Sequence, residues 1–195
     1  MKKEWLKQHA SRLDYVLIVL GILLAALGLF FVYSASKSDD SLRKVMVQSG
    51  AALLGVLCMA GLSFFDYRVL RSYANHIFIA TALLLLFVLL FGSGKEETGA
   101  NSWIRFGGIG LQPSEPAKVA FALFFSAKLA AAKDAGTLNR GKEVLRLTAC
   151  YAVITGLVVL QNDTGTALVF TFMFAVMLFV AGLSYPYILS PLGAL

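Results

Sequence analysis

The sequence predicts an all-α polytopic membrane protein with about six transmembrane helices. Three observations predict it. Of the 195 residues, 58% are hydrophobic and only 14% are charged, where soluble domains carry roughly 45–50% apolar and about 25% charged residues. The mean hydropathy is +0.77. The apolar residues also come in long runs separated by short charged strips, a pattern that leaves no stretch for a water-facing domain. Residues 1–195 are therefore expected to form a single transmembrane domain.

Crossing a hydrocarbon core takes about 20 apolar residues at 1.5 Å rise each. The candidate spans are Tyr15 to Ala35, Val45 to Phe65, Ala74 to Gly92, Ala117 to Ala132, Val144 to Leu160 and Ala167 to Leu183. The basic strip Lys2, Lys3 and Lys7 ahead of the first run, with Ser34-Ala35-Ser36 behind it, imitates a secretory signal. Its uncharged run of 21 residues exceeds a signal-peptide core of roughly 7–15, so a retained first helix is expected. In the fourth span Lys128 sits near the end, where it can snorkel to the interface. The fifth is short: Leu147 to Leu160 is 14 residues, about 21 Å against roughly 30 Å of hydrocarbon. Either it borrows Val144 to Arg146 or the following polar turn dips below the membrane surface.

The net charge of +6 does not mark a nucleic-acid partner, because the basic residues lie singly or in pairs between apolar runs. They report topology instead. With the N-terminus inside, the inner strips hold Lys2, Lys3, Lys7, Arg12, Arg68, Arg71, Lys128, Lys133, Arg140, Lys142 and Arg146, and the outer strips hold Lys37, Arg43, Lys44, Lys95, Arg105 and Lys118. Cytoplasmic segments are enriched in Lys and Arg, so an N-in arrangement is expected, with 36–44, 93–116 and 161–166 extracytoplasmic. Cys58 and Cys150 lie inside apolar runs without CxxC or His-rich spacing, which supports neither a disulfide framework nor zinc.

Two outer segments carry the chemistry-bearing residues. The first runs from Gly92 to Lys118 and is long for a connector. Its glycines (Gly92, Gly94, Gly99, Gly107, Gly108, Gly110) permit turns, while Trp103, Ile104, Phe106, Ile109 and Leu111 are too apolar for a free loop. The segment is expected to lie along the membrane surface or re-enter it, with Trp103 at headgroup level. At its end Pro113 and Pro116 bracket Ser114-Glu115, a helix start with Ser or Glu as cap. Lys118 in that first turn opposes the helix dipole, and Glu115 three residues earlier can offset it on the same face. Charges at membrane depth are costly and face a protein interior or a wet cavity; the alternative is a structural ion pair at the boundary.

The second segment, Gln161-Asn162-Asp163-Thr164-Gly165-Thr166, interrupts an apolar stretch. Buried there, Asp163 would have to face protein or a water-filled cavity and would be a site candidate; in a plain turn it would cap the next helix. Gln48, Asn75 and His76 read as helix-packing or interfacial residues. The chain has no Walker loop, GxSxG or HExxH motif and no heme spacing.

The stretches Gly99-Ala100-Asn101-Ser102-Trp103-Ile104 and Gln112-Pro113-Ser114-Glu115-Pro116-Ala117-Lys118 together resemble the signature of the RodA/FtsW/SpoVE (SEDS) family of cell shape, division and sporulation. Val32-Tyr33-Ser34-Ala35-Ser36, Asp66-Tyr67 and Gln161 to Ala167 add further matches in the family's order. The last is similar to Gln-Pro-Asp-Leu-Gly-Thr-Ala, with Asn162 and Thr164 in place of the common Pro and Leu. Ser102 stands where many relatives carry arginine, a role Arg105 would have to take over. The balance leans towards a RodA-like elongation protein.

The resemblance implies peptidoglycan glycan-strand polymerisation from lipid II in the bacterial cytoplasmic membrane, beside a class B penicillin-binding protein. It implies a fold of about ten transmembrane helices, of which this chain would be the N-terminal portion. The catalytic aspartate is expected in an extracytoplasmic loop after the seventh helix, beyond Leu195. Glu115, Lys118 and Asp163 would then line the substrate cavity, with Trp103, Arg105 and Gln112 beside them. No cofactor is implied with certainty, and a divalent cation is left open. Competing expectations are a lipid II flippase, since polar groups between helices suit translocation as well, or a non-catalytic membrane scaffold.

Overall fold

The computed structural model describes residues 15–35, 41–63, 67–94, 99–106 and 109–184. In chain order the elements are helices α1 (Tyr15–Ala35), α2 (Ser41–Ser63), α3 (Tyr67–Ser72) and α4 (Ala74–Phe91), strands β1 (Ile104–Phe106) and β2 (Ile109–Leu111), and helices α5 (Ser114–Asp134), α6 (Gly141–Leu160) and α7 (Thr164–Ala181). They fall into two compact units, Met1–Asp66 and Tyr67–Leu195.

In the first unit α1 and α2 pack against each other. Gly21 faces α2 at ordinary contact distance: a Cβ there would lie 3.9 Å from the Met59 sulfur. No residue of α1 is buried; Ile18, Leu29 and Val32 lie on a half-buried stripe, and most of its other Leu, Val and Phe side chains stand exposed over the rest of the helix. An outer surface of that kind is compatible with lipid and not with water. The chain is a multi-pass membrane protein: α1, α2, α4, α6 and α7 are long and apolar enough to span.

The second unit is a ring of four long helices in which α4 and α7 each pack against both α5 and α6. Each helix turns one stripe inward, such as Phe121, Phe125 and Leu129 of α5 or Phe170, Phe174 and Leu178 of α7. That three-to-four residue spacing is the helical period. The opposite faces stay apolar, with Leu168, Phe172 and Val180 of α7 exposed. Lipid tails are as apolar as the core, so packing shape and internal hydrogen bonds hold such helices together. Aromatic rings supply the shape. Phe121 meets Phe170 edge-on at 5.1 Å, Phe125 meets Phe174 at 5.0 Å, and Tyr151 of α6 stacks on Phe174 at 4.5 Å. The Thr171 hydroxyl donates to the Ala167 carbonyl at 2.9 Å, which spends its single proton. The 2.8 Å contact with Tyr151 is therefore donated by the tyrosine.

Several helices are longer than their apolar runs. α2 begins at Ser41 and takes in Arg43 and Lys44. α6 begins at Gly141, so it borrows residues from the preceding charged loop; its 20 residues give about 30 Å, enough to cross without the polar turn dipping inward. α5 extends to Ser114 and Asp134. It is long enough to span, but Glu115, Lys118 and Lys128 make it more polar than the other five. α5 and α7 both end in Schellman turns. Gly136 (φ 64°) and Gly182 (φ 89°) supply the left-handed residue, with bonds Thr137 N to Ala132 O and Leu183 N to Leu178 O.

Thr171→Val keeps the shape but orphans the buried Tyr151 hydroxyl. It is expected to cost about 0.5–2 kcal/mol, read as a lowered unfolding midpoint in detergent, while Tyr151→Phe added to it restores most of the loss.

Candidate functional site

At one end of the second unit four helix termini meet: the C-termini of α4 and α6 and the N-termini of α5 and α7. Non-helical chain there must find hydrogen bonds within the protein, because lipid offers none. After α4, Ser93 forms an antiparallel bridge with Trp103, with Ser93 N donating to Trp103 O at 2.8 Å and Trp103 N to Ser93 O at 3.1 Å. β1 and β2 continue it as a hairpin that pairs Ile104 with Leu111 and Arg105 with Gly110. Gly92 is sterically required, because a Cβ there would fall 2.4 Å from Val88 O and 2.9 Å from Asn101 O; Gly110 is a tight position, where a Cβ would sit 3.0 Å from the Trp103 ring and the ring would have to give.

This segment is stitched to the turn after α6. Asn101 N donates to Gln161 O at 2.8 Å, and the Asn101 amide donates to Leu89 O at 3.3 Å, a carbonyl of the last turn of α4 that lacks an intrahelical partner. Gln161 is 1% exposed and its amide donates to Leu85 O at 2.8 Å. The turn itself is a third Schellman motif, with Asn162 N to Val159 O at 2.9 Å and Asp163 N to Val158 O at 3.3 Å. Its left-handed residue is Asn162, φ 64°. Asparagine tolerates that region, whereas a proline would be locked near −65°.

Asp163 then caps α7. One oxygen accepts from Thr166 N at 3.1 Å and the other from the Gln112 side-chain amide at 2.7 Å. Asp163 is thus both the helix cap and a tie between α7 and the entry to α5. The expectation that Ser114 or Glu115 caps α5 is not met. The N-cap is Pro113, without a side-chain bond, and Ser114 is wholly buried. The reason is that backbone carbonyls already serve this turn, Gln112 O accepting from Glu115 N and Pro113 O from Ala117 N, while Pro116 has no N–H. Glu115 instead pairs with Lys118 at 2.8 Å. Lys118 is half-buried and Glu115 exposed.

The structure therefore joins Gln112 to Asp163 and Glu115 to Lys118, and sets Trp103 across Gly110. Among the described residues no hydrogen bond or ion pair links the two polar couples. Arg105 stands exposed on β1 while Ser102 is buried, so the guanidinium does not occupy the place of the residue-102 side chain. The hydroxyls of Ser102 and Ser114 and the side-chain amide oxygen of Gln161 are buried without a hydrogen-bond partner among the described residues. Among those residues there is also no group of three His, Cys, Asp or Glu side chains that could hold a metal ion. The structural role of Asn101 and Gln161 is a feature that spacing alone misses; the one signal is an amide residue closing an apolar run.

Fold and site define a class, the polytopic helical membrane proteins with a polar, hairpin-capped helix end. A family model described as cell cycle protein, FtsW/RodA/SpoVE, matches residues 14–195, and the chain belongs to that family. It is 33% identical over 179 residues to the peptidoglycan glycosyltransferase RodA of Treponema pallidum, covering 88% of this chain and 39% of that protein. It is 33% identical over 175 residues to the stage V sporulation protein E of Bacillus subtilis, covering 87% of this chain and 48% of that protein. The crystal structure of Thermus thermophilus RodA superposes with a TM-score of 0.78 at 32% identity, covering 94% of this chain and 58% of that one. A chain from a peptidoglycan synthase complex, described as coordinating polymerization and crosslinking, gives 0.74 at 30% identity over 94% of this chain and 52% of its own. The chain spans about half the length of the curated relatives it matches.

Asn162→Pro is expected to destabilise the second unit by about 3 kcal/mol, since the ring excludes the observed φ and removes a donor. Asn162→Gly should stay within about 1 kcal/mol of the parent. Unfolding midpoints of both variants in one detergent check this.

Proposed function

We propose that this chain supplies part of a membrane enzyme that polymerises peptidoglycan glycan strands from lipid II, working with a class B penicillin-binding protein. The observation that carries the proposal is the gathering of the two polar couples, Gln112 with Asp163 and Glu115 with Lys118, at one hairpin-capped end of a membrane bundle. They stand on the residues that match the family's motifs. The names of the relatives support the same reading.

The hairpin end is assigned to the extracytoplasmic side of a bacterial inner membrane, with the N-terminus cytoplasmic. Basic residues support that orientation, because Arg71, Lys133, Arg140 and Lys142 lie at the opposite end of the second unit and such residues concentrate on the cytoplasmic side.

In glycosyl transfer the acceptor sugar hydroxyl attacks the anomeric carbon of the donor. The bond to the polyprenyl pyrophosphate breaks, the pyrophosphate leaves with the electron pair, and the hydroxyl proton passes to a base. Lys118 is assigned to the leaving pyrophosphate, where a fixed cation stabilises developing negative charge. Glu115 positions it. Asp163 is a poor choice of base because both its oxygens already accept hydrogen bonds, so its part is to hold the cavity wall. The base is assigned to the portion of the relatives' length that this chain does not span. Trp103, Arg105 and Gln112 would border the same cavity.

In the protein carrying this region at the relatives' full length, Lys118→Ala and Glu115→Ala are each expected to slow strand synthesis at least about tenfold, ~1.4 kcal/mol of barrier. The assay supplies lipid II on the accessible side, so that strands report polymerisation and not transport across the membrane. Parent-like rates in both variants would remove these residues from the site.

A further inference from the structure

A cleft lies at the other end of the second unit, remote from the hairpin. It has a volume of about 300 Å³ and opens between α4, α5 and α6, with Asn75, Lys128, Glu143 and Arg146 around its mouth. Its floor is apolar, formed by Phe78, Phe124 and Leu147. A second groove of about 510 Å³ shares Phe78 and Ile79 with it and runs on between α4 and α6 to Leu86 and Leu160. The walls of that groove are almost wholly apolar side chains, with Gly156 open beneath them. The two form one channel with a charged mouth and an apolar tail.

Its dimensions select an occupant. From Asn75 to Leu86 is 11 residues along α4, about 17 Å, and from Arg146 to Leu160 is 14 residues along α6, about 21 Å, a length that takes one extended acyl chain running inward from one face of the hydrocarbon core. Arg146 lies five residues, about 8 Å, inside the start of α6, a depth at which a charge is costly unless it is partnered or reaches a headgroup. Neither Arg146 nor Lys128 is ion-paired among the described residues. The Lys128 ammonium is held 5.6 Å over the Phe124 ring, a cation–π contact that leaves its hydrogen-bond donors open. Two cations against one carboxylate, at the head of an apolar channel of acyl-chain length, match an anionic diacyl phospholipid. Basic pockets between helices at a cytoplasmic face are a known form of such recognition.

We propose that this channel is a binding site for one anionic phospholipid of the bilayer. The phosphate sits between Lys128 and Arg146, Asn75 bonds a headgroup oxygen, and an acyl chain lies along the α4–α6 groove. The inference stands apart from the polymerase reading and uses none of its residues.

The test is native mass spectrometry of the purified chain, incubated in detergent with equimolar phosphatidylglycerol and phosphatidylcholine, and separately with glycerol phosphate as competitor. Retention of one phosphatidylglycerol in preference to phosphatidylcholine is expected. The double variant K128Q/R146Q should lower its retained fraction roughly tenfold, and Gly156→Leu, which fills the groove and leaves both cations in place, should lower it several-fold. Circular dichroism melts matching the parent show that either loss is not unfolding; if K128Q/R146Q fails to fold, Gly156→Leu and the lipid preference of the parent carry the decision. The proposal is overturned by equal retention of the two lipids or by full retention in K128Q/R146Q. It is also overturned if glycerol phosphate displaces the lipid while Gly156→Leu has no effect, the mark of a bare phosphate site. Absence of any retained lipid in the parent, as when another helix of the chain covers the groove, sinks it as well.

Discussion

The hydrogen bond from the buried Gln161 amide to Leu85 O is the contact on which the hairpin end of the second unit depends. Lipid gives the backbone no partners, so chain that leaves a helix at the membrane boundary must be satisfied by protein. Gln161 reaches back into α4 with its side chain while its own carbonyl accepts from Asn101 N. Asn101 in turn covers Leu89 O, freed because Ser93 N bonds Trp103 instead of continuing the helix. The amide groups thus close a circuit between the end of α4, the approach to β1 and the turn after α6. Loss of the Asn101 side chain would leave Leu89 O without its partner, and loss of the Gln161 side chain would cut the tie to α4.

The same turn holds the acidic residue. Gln161 and Asp163 lie two residues apart, one tied to α4 and the other to Gln112 at the entrance of α5. The short stretch between α6 and α7 therefore connects all four long helices of the unit. Its left-handed residue makes this possible, because φ 64° at Asn162 reverses the chain directly after Gln161 and aims Asp163 towards α5. A proline at position 162 would have to build that reversal with a different backbone.

The membrane class and most spans are legible because they rest on composition and run length, which are local. α1 coincides with an uncharged run. The ends of α2, α5 and α6 are less legible, since helices continue past their apolar residues into charged ones such as Arg43 and Lys133, and a hydropathy criterion stops at the first charge. Gly136 and Gly182 are readable stop signals. The dipeptide Gly107-Gly108 between two short apolar runs is a hairpin signal, yet strands of three residues are too short for an alternation to stand out. The pairings themselves have no local signature. Gln112 and Asp163 are 51 residues apart and Gln161 and Leu85 are 76 apart. Glu115 with Lys118 is readable, because three residues along a helix place two side chains together.

The two ends of the second unit use charge in opposite ways. At the hairpin end the described acidic groups are engaged, Glu115 by Lys118 and Asp163 by an amide and a backbone N–H. A half-buried Lys118 in the first turn of a helix sits against the positive end of the dipole, and its carboxylate partner is exposed. Water screens that carboxylate's hold. A pyrophosphate brings more negative charge than one carboxylate and is favoured by the same dipole that opposes the lysine. Under the proposed function the ammonium would gain by turning from Glu115 to such a ligand, and Glu115 would take it back once the ligand departs. At the opposite end Lys128 and Arg146 face an apolar channel without a carboxylate in ion-pair contact. Charge there is set to meet whatever the bilayer presents, and at the hairpin end it is stored as a pair that a more strongly charged group can open.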